Sequence, residues 1–200
     1  MAGVLFFALA AAGCVSNNVY VENGHDKADY RDLRPRDPPT PVFVVADFRV
    51  NGQPHPEVNL QVFSEIVRVL QRTRVLKPVS SDPGMTLRVV VDNIVDLKQA
   101  GSDAFMTGLT EGLVGSMVKD QYRFTYTLQK GGGKPQTGLY QHALITVSGR
   151  DAPVSYGQPH SIDDAFALVV KQSVLEFLSD IQSVNGDEPV MFVPDTSDGK

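Results

Sequence analysis

The chain has 200 residues, of which 42% are apolar and 20% are charged. This composition is typical of a globular protein, and the length is enough for one core but not for a second ordinary domain. The formal net charge of -5 gives no broad positive field for a phosphate backbone, so nucleic acid is not an expected partner.

The beginning of the chain has the pattern of an export signal. A short apolar run from Val4 to Ala12 ends in small residues and is followed by Cys14, the single cysteine of the sequence. A spanning helix needs about 20 apolar residues, whereas this run fits the apolar centre and cleavage site of a secretory signal. We therefore predict a signal peptide over 1–13, and a folded part without any internal disulfide.

Residues 11–14, which read Ala-Ala-Gly-Cys, resemble the lipobox of bacterial lipoproteins. The resemblance implies cleavage before Cys14 and acyl chains such as palmitate on that residue. Because Val15 rather than Asp follows the cysteine, it also implies the outer membrane, with the domain facing the periplasm. Ala11 stands where the family usually has Leu, and no Lys or Arg precedes Val4. A secretory signal that is cleaved without acylation is the alternative.

Residues 14–40 are predicted to form the lipidated tether. They are polar, mixed in charge and rich in proline towards their end, a composition that favours a largely disordered chain. The single folded domain is predicted over 41–194. Residues 195–200 are predicted to be a disordered tail.

The first half of the domain is predicted to contain three strands and one helix. Residues 41–50 are rich in β-branched and aromatic side chains and lead into a turn at Asn51-Gly52, which predicts a central strand. Residues 75–79 predict a short strand, and the alternation over 87–98 predicts a long strand with one solvated face. Between them, helical spacing predicts an amphipathic helix whose apolar face is Leu60, Phe63, Ile66, Val67 and Leu70.

The second half is predicted to contain an antiparallel hairpin and a long helix. Residues 122–129 and 139–147 alternate on either side of a glycine-rich loop. Ser161 is expected to cap the helix, which ends at Gly186, and 189–193 is a short edge strand. The expected apolar face of the helix is Ile162, Phe166, Val169, Val170, Val174, Phe177, Leu178 and Ile181. The expected apolar rows of the hairpin are Tyr122, Phe124, Tyr126 and Leu128 on one strand, and Leu139, Gln141, Ala143, Ile145 and Val147 on the other.

This order of elements predicts an α+β fold, that is, an α/β sandwich. The sheet is expected to be mixed and largely antiparallel, with two amphipathic helices on one face and a glycine-rich helical insertion. The order is similar to that of small α/β modules in envelope lipoproteins and in the amino-terminal domain of the Tol-Pal translocation protein. That resemblance implies a fold and no activity.

The glycine-rich insertion, 101–118, is the unusual segment of the sequence. Gly108, Gly112 and Ser116 recur at every fourth position, so a helix here would present a flat groove to another backbone. Three interpretations remain open: a core helix packed closely on the sheet, a self-association surface, or a hairpin that touches a membrane. The segment contains Glu111 and is too short to span a bilayer.

No constellation of catalytic or metal-binding residues is evident. His25, His55, His142 and His160 lack the spacing of a zinc site, and no serine lies in a Gly-x-Ser-x-Gly elbow. We therefore predict no metal, no cofactor and no enzymatic activity. The alternative of an envelope hydrolase would require Asp, His and Ser side chains to converge in a pocket.

The sequence therefore predicts a membrane-anchored, periplasm-facing lipoprotein that acts as a non-enzymatic accessory or interaction protein. Its expected contacts are the membrane, through the lipid anchor, and another envelope protein or a second copy of itself. An assembly or transport complex is the expected setting. A self-assembling ring or collar for export through the outer membrane is the structural alternative.

Overall fold

The computed structural model describes residues 17–22, 27–95, 116–148 and 157–183. Within these ranges the chain forms one mixed sheet of seven strands and two helices. The strand order is linear and the sheet is not closed into a barrel. The predicted α+β class is therefore confirmed. Neither described helix is both long and apolar enough to cross a membrane.

The elements follow one another as the hydrophobic patterns predict, with two additional strands, one at the beginning and a two-residue strand after the turn at Asn51-Gly52. Two short 3-10 helices, Tyr30–Asp32 and Pro56–Val58, lie between them. The strands and helices are β1 (Asn17–Val21), β2 (Thr40–Val50), β3 (Gln53–Pro54), α1 (Asn59–Thr73), β4 (Leu76–Val79), β5 (Met85–Ile94), β6 (Ser116–Lys130), β7 (Gln136–Ser148) and α2 (Ile162–Ser183).

The sheet has the order β1-β7-β6-β5-β2-β3, and β4 pairs separately with β2. The pairs that β2 makes with β4 and β5 are parallel, and the other described pairs are antiparallel. The predicted turn after β2 is confirmed, because Asn51 and Gly52 have φ angles of 49° and 79°. Two positive φ angles give the tight turn that joins antiparallel neighbours, here β2 and β3.

Both helices pack on the same face of the sheet and build the core with it. The predicted aromatic row of β6 is confirmed as core, since Phe124 and Tyr126 are fully buried. Tyr126 stacks on Phe177 of α2 with ring centroids 4.8 Å apart, and Phe48 of β2 meets Phe166 edge to face at 6.2 Å. Such ring pairs stabilise a core beyond the area that they bury.

The predicted apolar row of β7 is wrong. The residues of β7 that join the core under the helices are Tyr140 and Leu144, whereas Ile145 and Val147 form a separate cluster with Tyr20. The cause is the register with β6, which places Tyr140 opposite Phe124 and so on the helix-covered face. Since apolar side chains lie on both faces of this strand, alternation alone does not reveal which row faces the helices.

The predicted apolar face of α1 is wrong at two positions. Leu60 and Phe63 are exposed, at 73% and 37% of their surface, whereas Ile66 and Leu70 are buried as predicted. The buried face also contains Val62, Val69 and Thr73. Apolar residues occupy about half the circumference of α1, so helical spacing permits more than one choice of inner face.

The prediction of a largely disordered tether over 14–40 is corrected for 17–22 and 27–40. β1 pairs with β7 along its whole length, and Val19 and Val21 belong to the core. Further along, the side chain of Gln182 donates to the Arg34 carbonyl at 2.8 Å and accepts from the Arg34 amide at 2.9 Å. The domain therefore includes residues that precede position 41.

Several predicted features lie outside the described residues. They are the signal peptide over 1–13, the acylated Cys14, the helix end at Gly186, the edge strand at 189–193 and the tail at 195–200. These features stay predictions.

Candidate functional site

The residues of the predicted glycine groove lie at the border of the described chain. Gly108 and Gly112 are outside the described residues. Ser116 is the first residue of β6 and pairs with Ser148, so its backbone is extended and does not continue a helix. The predicted helix therefore does not extend to Ser116. Whether Gly108 and Gly112 contact another chain stays a prediction.

The amino-terminal strand and the beginnings of both helices meet at one end of the molecule. Val19 of β1 exchanges two backbone hydrogen bonds with His160, at 2.8 and 3.3 Å, just before α2 begins. At the start of α2, Asp163 accepts a hydrogen bond from Gln61 of α1, with the Nε2 to Oδ1 distance at 3.3 Å. The sequence places Cys14 only three residues before the first residue of β1. An anchor on Cys14 would thus be attached at this end.

A second candidate surface is the part of the sheet opposite the helices that β2, β5 and β6 form, which we call the open sheet face. It is defined by Asp47 and Arg49 on β2, Arg88 and Asp92 on β5, and Arg123 on β6. Arg88 and Asp47 form an ion pair with the nitrogen and oxygen 2.7 Å apart. The register aligns Arg49, Asp92 and Arg123 in one row across three strands. Charges of both signs on a half-exposed sheet suit contact with a polar protein surface.

Polar side chains between α2 and the β6-β7 hairpin form a third feature, the α2 polar cluster, and most of them are buried. Within it, the hydroxyls of Tyr126 and Ser173 are 2.7 Å apart, and the Tyr140 hydroxyl donates to Asp180. The Nε2 atom of His142 lies 3.7 Å from a carboxylate oxygen of Glu176. The cluster consists of Tyr126, Tyr140, His142, Ser173, Glu176 and, at its exposed edge, Asp180.

Burial determines the protonation of this cluster. Loss of water raises the pKa of Glu176 to about 7, with a smaller contribution from the charge of Asp180, while Lys27 acts in the opposite direction. Burial also raises the pKa of Tyr126 and Tyr140, so both phenols remain protonated. Glu176 is therefore a carboxyl group that changes charge near neutral pH.

The α2 polar cluster does not have the geometry of a hydrolytic site. Ser173 is fully buried, and its hydroxyl is engaged by the Tyr126 hydroxyl and by the Val170 carbonyl, to which it donates at 2.9 Å. His142 and Glu176 are buried as well. A nucleophile must reach the substrate, and this serine is enclosed between helix and sheet. The arrangement favours a structural role with a dependence on pH.

The other described histidines lie apart from one another, at the surface and in a backbone bridge. His55 lies at the surface with its Nδ1 atom 2.9 Å from Glu57, and His160 takes part in the backbone bridge to Val19. Within the described ranges, no group of three or more His, Cys, Asp or Glu side chains could hold a metal ion. His25 lies outside those ranges.

The sequence matches no family model and no curated protein. Among solved structures, it is similar to a rare lipoprotein B from Shewanella oneidensis, with 10% identity, 72% of this chain and 92% of that chain covered, and a TM-score of 0.36. It is also similar to a PelC dodecamer from Paraburkholderia phytofirmans, with 11% identity, 82% of this chain and 98% of that chain covered, and a TM-score of 0.33. A third similar structure is that of a DUF4136 family protein from Bacteroides thetaiotaomicron, with 11% identity, 84% of this chain and 95% of that chain covered, and a TM-score of 0.25. All three TM-scores are low, and neither a common fold nor a common function follows from them.

Proposed function

We propose that this protein is a bacterial lipoprotein, acylated at Cys14, whose domain faces the periplasm and serves as a non-enzymatic accessory protein by binding another envelope protein. The observation that carries the proposal is the position of the lipobox-like residues 11–14, which end three residues before the first residue of β1. An apolar leader, a closing cysteine and a folded unit follow one another, as export and anchoring require.

The short chain between Cys14 and the domain limits how far the domain can lie from the membrane. A fully extended chain covers at most about 3.5 Å per residue, so the start of β1 lies within about 10 Å of the cysteine. Several acyl chains hold a protein on a bilayer far more persistently than one does. The domain is thus held close to the lipid surface and not at the end of a long tether.

Replacing the anchor residue tests the first half of the proposal. The variant Cys14→Ser should move the protein from the membrane fraction to the soluble periplasmic fraction while its circular dichroism spectrum stays unchanged. The variant Val15→Asp is the matched control, because it keeps the thiol and is expected to move the acylated protein to the inner membrane. Mass spectrometry that found residues 1–13 still attached and an unmodified sulfur on Cys14 would contradict the proposal.

The binding role is supported by the open sheet face, which carries charges of both signs and is not covered by α1 or α2. Thr125 is exposed on β6 at the centre of this face, opposite Val90 in β5. A photoreactive amino acid at Thr125 should give a discrete cross-linked protein in intact cells. The same group at Ser64, which is exposed on α1, is the control and should give none.

The mass of the cross-linked species distinguishes the partners. An adduct with twice the mass of the chain indicates a second copy, and another mass indicates a different envelope protein. Equal and diffuse labelling from Thr125 and Ser64 would contradict a specific role for the open sheet face.

A further inference from the structure

Three large apolar side chains are exposed in the described part of the chain, and all three lie near the beginning of a helix. Leu60 and Phe63 occupy the first two turns of α1, and Ile162 is the first residue of α2. Their exposed fractions are 73%, 37% and 52%. We call these three residues the apolar rim.

The two helix beginnings belong to the same end of the protein. Gln61 of α1 and Asp163 of α2 are joined by a side-chain hydrogen bond, so Leu60 and Ile162 are each next in sequence to a member of this contact. The α1 start is fixed to the sheet as well, because the Phe48 amide donates to the Asn59 side chain at 2.7 Å. The apolar rim is therefore held in place by the fold.

The predicted anchor is attached at this same end. His160, two residues before Ile162, pairs with Val19 of β1, and Val19 is five residues after Cys14. Five extended residues reach at most about 18 Å. A membrane that holds acyl chains on Cys14 thus lies within reach of the residues that begin α2.

We propose that the apolar rim is a lipid-contacting surface, which inserts into the interfacial layer of the bilayer that carries the anchor. This inference rests on the proposed acylation of Cys14. Three apolar side chains on their own are a weak membrane-binding element. Because the anchor already holds the domain on the bilayer, the effective concentration of lipid around these side chains is high. A weak contact is then sufficient.

The charges at this end indicate apolar insertion and not attraction to anionic lipid. Asp163 and Asp164 lie in the first turn of α2, and Glu57 precedes α1 in its 3-10 helix. Anionic headgroups attract clusters of Lys and Arg, whereas these carboxylates would be repelled by them. A zwitterionic bilayer is therefore the expected surface.

Tryptophan fluorescence provides the test, because the chain contains no Trp. The acylated full-length variant Phe63→Trp is reconstituted on vesicles of phosphatidylcholine and phosphatidylethanolamine, with or without brominated acyl chains. Its emission should shift to shorter wavelength on vesicles and be quenched by the brominated lipid. The matched control Thr125→Trp, on the open sheet face, should show neither effect.

Additional substitutions test whether the three residues of the apolar rim contact lipid together and whether the contact is apolar. Adding Leu60→Ser and Ile162→Ser to the Phe63→Trp protein should abolish the quenching while the circular dichroism spectrum is retained. Phosphatidylglycerol in the vesicles should not strengthen the quenching. Quenching that needs phosphatidylglycerol, or a shift that grows with protein concentration without vesicles, would overturn the proposal.

The failure of the anchor and the failure of the rim give different results. If the purified protein carries no acyl chains and does not sediment with vesicles, the proposed anchoring is wrong. If it sediments with vesicles and Trp at position 63 remains unshifted and unquenched, the anchoring stands and the lipid contact of the apolar rim is wrong.

Discussion

Glu176 shows how one buried carboxyl group can make the stability of this fold depend on pH. It lies on α2 and faces His142 and Tyr140 of β7, and its pKa is raised to about 7, mainly by burial. In the unfolded chain the same group has its ordinary pKa of 4.5. Between these two values the folded state retains a proton that the unfolded state has lost. The free energy of unfolding therefore falls as pH rises through this window.

The variant Glu176→Gln tests this dependence. An amide of the same size cannot ionise, so the variant should be more stable than the parent protein at pH 8. At pH 5, which is only just above the ordinary pKa of 4.5, the folded parent is protonated at this position and only a small part of the difference should remain. One pKa unit corresponds to about 1.4 kcal/mol, and with solvent screening at the edge of the cluster we expect a gain of about 2 kcal/mol at pH 8. Urea denaturation at both pH values measures it.

The same substitution on the surface is the control for this prediction. Glu65 lies on α1 and pairs with Arg68, away from the α2 polar cluster. The variant Glu65→Gln should change the free energy of unfolding by a small and equal amount at pH 5 and pH 8. An equal effect of Glu176→Gln at the two pH values would show that Glu176 does not titrate in this range.

At the scale of elements, the sequence predicts structure well where one apolar pattern dominates. β2 is rich in β-branched and aromatic residues, β6 alternates between apolar and polar side chains, and α2 begins at its predicted cap, where Ser161 accepts a hydrogen bond from the Asp164 amide at 3.1 Å. These features depend on local spacing, on capping and on burial of a single face. Local information suffices to place them.

Elements with two apolar faces are less predictable from sequence. In β7 both Leu144 and Ile145 are buried, and only the pairing with β6 and β1 decides which of them lies under the helices. In β1 the alternation is short and embedded in polar sequence, so it resembles a linker until β7 is available as its partner. Pairing between residues far apart in sequence provides the missing information.

The candidate sites also differ in whether local sequence is sufficient to predict them. The sequence predicts Cys14 from a local motif, but it gives no sign that Ser173, Glu176 and His142 lie together, since strand and helix bring them into contact from distant positions. The charged row of the open sheet face likewise exists only through the register of three strands. Helical spacing predicts Leu60 and Ile162 on the buried faces of α1 and α2, but both are exposed, because spacing alone does not determine how each helix packs on the sheet.

At the scale of the whole molecule, β1 is both the edge of the sheet and the connection to the predicted anchor. It covers the outer edge of β7, and its residues Val19, Tyr20 and Val21 are buried. An uncovered edge strand exposes unpaired backbone groups that promote association between chains. The integrity of the domain should thus depend on a segment whose composition resembles that of a flexible tether.

Two truncations that differ only in this strand test the dependence. A chain that begins at Asn17 should fold, whereas a chain that begins at Lys27 lacks β1 and loses the burial of three apolar side chains. Each such side chain contributes about 1.5 to 3 kcal/mol when buried, so the total loss is on the order of 5 kcal/mol. That amount is comparable with the whole stability of many domains. The shorter chain should therefore unfold at a much lower urea concentration and associate in sedimentation experiments, and equal urea midpoints for the two chains would show that 17–26 is a tether after all.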